Sequence, residues 1–238
     1  MDTSQSIQDT ANDSEVAINE EVRETVNGQG LAADIGLDSE EISWRKSFTG
    51  FDASTASQLE SMAGLFEETA DDLVDDFYDN LTAHERTVEI FGRSSKDIDQ
   101  LKQTQREYLL DLGRGEYGTE YFESRARIGK IHDLLDLGPR VYLGAYTTYY
   151  EGLMDAVAAD AVESTVSAYE NDSTETDTIE SAVTEAVEQV TDKMLAVCKL
   201  LNLDQQVAMD TYIASYNKQA EAEARRRKEV SREVESKV

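Results

Sequence analysis

The chain has only one cysteine, one proline, two histidines and 13 glycines in 238 residues, which leaves little material for several common architectures. Cys198 has no partner for an intrachain disulfide and cannot form a CxxC redox pair. Two histidines and one cysteine cannot build a four-ligand zinc site without carboxylates. Hairpin-rich folds need frequent Gly and Pro at their turns, so their scarcity favours long helices and an all-α fold. No basic leader and no long apolar run marks a signal peptide or a membrane span, so a cytoplasmic protein is expected. Bases are also scarce: 22 Lys and Arg against 50 Asp and Glu give a formal charge of −28. That field repels a phosphate backbone and argues against nucleic-acid partners. The acids stud periodic segments such as "EETADDLVDDFYDNL". They read as a solvated surface whose self-repulsion is tolerable where salt is abundant, which implies a halophilic host.

Residues 1–43 carry eleven acids, one base (Arg23) and few large apolar side chains, so they are expected to form a mostly disordered acidic extension. Helical periodicity begins with Leu59, Met62, Leu65 and Phe66, for which Ser57 and Glu60 offer a capping box. Leu73, Phe77, Tyr78 and Leu81 continue the pattern. Ile98, Leu101, Gln105, Tyr108, Leu109 and Leu112 predict another helix that stops at Gly113. "TEYFESRARIGKIHDLL" predicts a third, and Pro139 is suited to the first position of the next, which runs to about Tyr169. "ENDSTETD" reads as a polar connection. With no Gly or Pro after Gly152, residues 176–238 can form one very long helix, apolar through "MLAVCKLLNL". Beyond Lys218 the composition suits a charged coiled-coil stalk, with Val230, Val234 and Val238 four apart.

No HExxH, P-loop, GxSxG or CxxCH motif is present, so zincin, nucleotide hydrolase, serine hydrolase and c-type haem signatures are lacking and no enzyme is expected. A single neutral imidazole does suffice for haem, because the porphyrin supplies four nitrogens and the protein need add one axial ligand. Taken alone, His132 reads as a structural histidine, and His84 in "LTAHERT" as a loop residue with no role.

Three stretches in order, "LVDDFYDNL", "LKQTQREYL" and "RIGKIHDLLDLGPRVYLGAY", followed by "LLNLDQQVAMDTYIASY", resemble the sensor globins of haem-based aerotaxis transducers, within the globin-coupled sensor family. The acidic composition suggests a haloarchaeal member. The resemblance implies a globin fold over residues 44–217, preceded by the acidic extension 1–43 and followed by the stalk 218–238 towards a signalling module. It implies non-covalent haem b with His132 as the metal ligand. Tyr142 would lie on the same side of the haem as His132, and its alternative reading is a packing aromatic. Tyr78 and Thr104 would supply polar contacts on the opposite, distal side, and their neighbours Phe77 and Leu101 would line it. The bland reading of Phe77 and Tyr78 is a core stripe. The implied function is an oxygen sensor, with carbon monoxide and nitric oxide as further gases, acting as a homodimer through its last helices on a chemotaxis signalling module and its kinase. Alternatives are a free-standing protoglobin-like gas carrier or nitric-oxide detoxifier, and a haemless globin-like dimeric interaction module.

Overall fold

The computed structural model describes residues 18–171 and 176–235. Among these the only β feature is one isolated bridge, between Ile18 and Ser94. Ten helices follow one another: α1 Glu20–Thr25, α2 Gly28–Asp34, α3 Ser39–Thr49, α4 Ala53–Ser61, α5 Ala63–Thr82, α6 Glu85–Phe91, α7 Ile98–Asp111, α8 Thr119–Leu134, α9 Pro139–Asn171 and α10 Thr176–Glu235. At about 1.5 Å per residue, α10 alone is about 90 Å long. It packs on α8, α9 and α4, with its buried residues running from Met194 to Tyr212, while α5 packs on α7 and α9. Beyond Tyr216 every described residue of α10 is exposed, with Glu221–Arg225 and Glu223–Arg227 paired one turn apart.

The short helices owe their starts to side-chain caps. Asn19, Asn27, Asp38 and Asp52 each accept a backbone N–H from the turn that follows. Asp97 and Gln100 form a reciprocal capping box at α7. The box expected at Ser57 and Glu60 is not used, because Asp52 starts α4 earlier and binds both the backbone N–H and the hydroxyl of Thr55 at 2.9 Å. Gly113 does follow the end of α7, although for a packing reason: a Cβ there would meet Phe66 at 2.8 Å and the Ala63 backbone at 2.9 Å.

The first 43 residues differ from expectation. Residues 1–17 lie outside the described residues, but α1, α2 and the start of α3 are helical and packed, with Arg23, Ala32, Leu37 and Ile42 buried. A few well-spaced apolar side chains suffice because they dock on a preformed surface, chiefly α8. Part of the "ENDSTETD" connection, residues 172–175, and Val238 of the stalk pattern lie outside the described residues.

The turn that delivers α9 is tightly specified. Asp136 and Gly138 both adopt positive φ, at 53° and 76°, and Pro139 begins the helix. Just before this turn α8 crosses α10 so closely that a Cβ on Gly129 would meet the Thr211 hydroxyl and approach the Ala208 Cα at 2.9 Å. Gly129→Ala should therefore destabilise the fold. Overpacking costs about 1–3 kcal/mol, against up to about 1 kcal/mol gained from helix propensity. Denaturant unfolding checks this, and a raised midpoint would show that the two helices are free to part.

Candidate functional site

All six residues singled out from the sequence line one cavity of about 220 Å³. Phe77 and Tyr78 come from α5, Leu101 and Thr104 from α7, His132 from the last turn of α8, and Tyr142 from the first turns of α9. His84 is elsewhere, exposed at the start of α6.

On one wall, the His132 Nδ1 is shut off from solvent and has no hydrogen-bond partner. Burial, aided by the charge of Arg23, lowers its pKa to about 4, so the imidazole is neutral near pH 7. A neutral ring is the form that ligates metals. The Tyr142 ring packs against it with centroids 5.3 Å apart. The Tyr142 hydroxyl does not pair with the histidine; it lies 3.0 Å from the hydroxyl of Tyr146.

The other wall is mostly aromatic. Phe77 stacks on Tyr149 at 4.9 Å, and Tyr78 packs against Phe77 and Phe91. Burial raises the Tyr78 pKa well above that of a free phenol, so it stays protonated and able to donate. Leu101 closes this side without polarity. Thr104 is exposed; its hydroxyl donates to Gln100 O on its own helix at 3.0 Å and accepts from Lys96 at 3.2 Å. Gln105, one residue on, lines the cavity and hydrogen-bonds through its amide to Tyr149. In the sequence it reads as one more position on the helical stripe, although an amide on an otherwise apolar face is a usable signal.

Behind the cavity the phenols are connected. The Tyr146 hydroxyl lies 3.4 Å from that of Tyr108, which donates to Asp204 Oδ2 at 2.9 Å. Tyr121 donates to the same oxygen at 3.0 Å, and Arg125 Nε lies 3.2 Å from it. The Arg125 guanidinium is held between the rings of Tyr108 and Tyr121, 4.6 and 4.1 Å from their centroids. Burial pushes the Asp204 pKa up, while Arg125 and the two phenols pull the other way. With Asp204 ionised, the order of donors is fixed. Each phenol has one proton, so Tyr108 spends its own on Asp204, Tyr146 must donate to Tyr108, and Tyr142 to Tyr146. The sequence does not disclose this chain, because one buried acid cannot be told apart among fifty.

At the cavity mouth stand Glu20, Arg23, Lys96 and Arg127. The sequence assigns Arg23 no site role, since it belongs to the stretch expected to be disordered. Apolar walls, a neutral imidazole on one side, a phenol on the other and a cationic rim together fit a flat apolar group that carries a metal and carboxylates, as haem does.

Residues 38–218 match the Protoglobin family. Over 228 residues the chain is 50% identical to the heme-based aerotactic transducer HemAT of Halobacterium salinarum, covering 96% of this chain and 44% of the relative. The chain thus spans less than half the length of that curated relative. Among solved structures, it is similar to the globin domain of the Geobacter sulfurreducens globin-coupled sensor, with a TM-score of 0.56 and 20% identity over 71% of this chain and 96% of the other. That likeness makes the helical arrangement a globin fold. With a family match that spans both walls of the cavity and the packed part of α10, the chain belongs to the protoglobin family.

Proposed function

We propose that the chain is the oxygen-sensing portion of a haem-based aerotaxis transducer and no enzyme. The observation that carries the reading is a cavity lined by His132 from α8 and Tyr78 from α5 and wired through buried phenols to Asp204 on α10. Haem b, held without a covalent bond, would supply the iron that retains a diatomic gas. The neutral His132 imidazole would hold the iron, and because Nδ1 is sealed, it would do so through Nε2. Tyr78 would donate a hydrogen bond to a polar gas such as oxygen, and Phe77 and Leu101 would keep water away from it. Thr104, satisfied on its own helix, is a minor contributor, and Gln105 through Tyr149 is the second polar influence on that side.

In this reading residues 44–217 are the sensor unit and 218–238 the stalk. Signals leave through α10 towards a chemotaxis signalling module and its kinase. Exposed apolar residues on the two long helices, Met154, Val162 and Val166 of α9 with Val187, Leu195 and Ile213 of α10, support a homodimer built on these helices. No described helix is long and apolar enough to cross a membrane, and the lone cysteine suits a reducing cytoplasm.

An absorption spectrum with added haem tests the reading. A Soret band is expected for the parent chain and should be largely lost in His132→Ala. An unchanged spectrum and haem content in that variant would remove His132 as the ligand.

Acid stability tests the neutral imidazole. The folded pKa of about 4 lies below the ordinary value of about 6.5. The unfolded chain therefore takes up a proton that the native one refuses, and stability falls as pH drops from about 6.5 towards 4. Unfolding of the cofactor-free parent should show a steeper loss across this window than His132→Phe. Coincident slopes would mean that burial does not hold the ring neutral.

Tyr78→Phe keeps the ring and removes the donor. A net hydrogen bond of about 0.5–1.5 kcal/mol corresponds to oxygen release about two-fold to somewhat more than ten-fold faster, with carbon monoxide release changing much less. Stopped-flow measurement of both gases decides it, and equal changes would make Tyr78 a packing residue only.

A further inference from the structure

Among the described residues the rim of the cavity inverts the charge balance of the rest of the chain. In a protein with 50 acids and 22 bases, three cations (Arg23, Lys96 and Arg127) line the mouth together with a single acid, Glu20. None of the three lies in an ion pair with a carboxylate among the described residues. Arg127 is committed to main-chain carbonyls, donating to Val26 O at 3.2 Å and Arg23 O at 2.9 Å, which ties the end of α1 to α8. Lys96 reaches only the neutral hydroxyl of Thr104. Arg23 is 6% exposed, donates one bond to the Ser94 hydroxyl at 2.9 Å, and has its Nε sealed from solvent with no partner.

A buried guanidinium that lacks a carboxylate carries a desolvation cost that its surroundings do not offset. Here the surroundings go to some length to keep it in place. The bridge between Ile18 and Ser94 pins the start of α1, and Arg127 pins its end. Arg23 also lies outside the residues that match the family, 38–218.

We propose that α1 is a clasp whose Arg23, seconded by Lys96, binds the carboxylate groups of the planar ligand at the mouth of the cavity. The ligand class is a flat apolar molecule that carries carboxylates, which under the proposed function is haem, and the inference rests on that reading. Arg23 gains the anion that it lacks, and Ser94 holds the guanidinium in position to receive it. Arginine suits the task because its planar fork matches a carboxylate with two parallel hydrogen bonds. Glu20 at the same rim favours a charged Arg23 and disfavours any ligand that brings its carboxylate to the Glu20 side.

The clasp is tested with Arg23→Met and Arg23→Lys, each loaded with haem or with haem whose two carboxylates are methyl esters. Release is followed by transfer to excess apomyoglobin. With ordinary haem, Arg23→Met should release about ten-fold faster or more, as expected for loss of a charge-assisted bond, and Arg23→Lys should fall between it and the parent. With the ester, all three should agree within about two-fold, since the group that Arg23 binds is gone. Without haem, Arg23→Met should melt no lower than the parent, because it removes an unpaired buried charge. Equal release of ordinary haem from Arg23→Met and the parent, or equal acceleration for haem and ester, overturns the clasp while leaving the sensor reading intact. A lower melting temperature of the cofactor-free variant overturns it too, by making Arg23 structural. A parent chain that takes up neither haem nor ester overturns the sensor reading and the clasp together.

Discussion

Asp204 holds the register of the helices around the cavity. It is 1% exposed on α10, and one of its oxygens gathers Tyr108 from α7 and both Tyr121 and Arg125 from α8. Through Tyr146 the same chain reaches α9. Breaking a buried pair of this kind costs about 3–5 kcal/mol, because the surviving charge is stranded. A slide of α10 along α8 would pull the carboxylate away from its three partners, and the close crossing at Gly129 and Ala208 resists the same motion by contact. The orientation of His132, less than one turn beyond Gly129, inherits both constraints.

The charges are sorted between surface and interior in a way that the net charge conceals. Although acids outnumber bases more than two to one, the buried charged side chains among the described residues are three arginines and one aspartate. Carboxylates are strongly hydrated and lose most by burial, so the surplus stays outside, where salt screens its repulsion. A guanidinium is more weakly hydrated and can be buried against rings or carboxylates. Arg45 meets Glu41 and Asp210 at 2.7 and 2.6 Å, and Arg125 meets Asp204 and two aromatic faces. Arg23 departs from this rule, and it does so at the mouth of the cavity.

Sequence patterns disclose what repeats or punctuates. The three-and-four spacing located α5, α7 and α8, and the lone proline marked the start of α9. The order of "FYDNL", "LKQT" and the His132 to Pro139 stretch singles out six residues that line one cavity. What stayed hidden was set by tertiary contact. The acidity of residues 20–43 masked a few apolar anchors that suffice only because α8 offers a surface. Thr104 could be assigned to the cavity, yet its turn outwards to Lys96 depends on a neighbouring loop. Asp204 and Arg23 are ordinary letters of the sequence until burial makes them costly.

The donor order of the phenols gives the pocket a direction. Because Asp204 accepts and cannot donate while ionised, every hydroxyl from Tyr108 back to Tyr142 points its proton towards α10, and Tyr142 presents only lone pairs to the cavity side. For Tyr142 to donate to anything at His132, its proton must leave Tyr146. Tyr146 keeps its own bond to Tyr108 unless Tyr108 in turn gives up Asp204. A local change in the ring that packs on His132 is thus either absorbed at the first link, leaving Tyr146 short of a donor, or carried through to the carboxylate that fixes α10. Hydrogen bonds in such a chain polarise one another, so the intermediate arrangements are poorer than either end state. That is the physical requirement for a two-state element, and it lies between the cavity and α10, whose described residues beyond Tyr216 are all exposed.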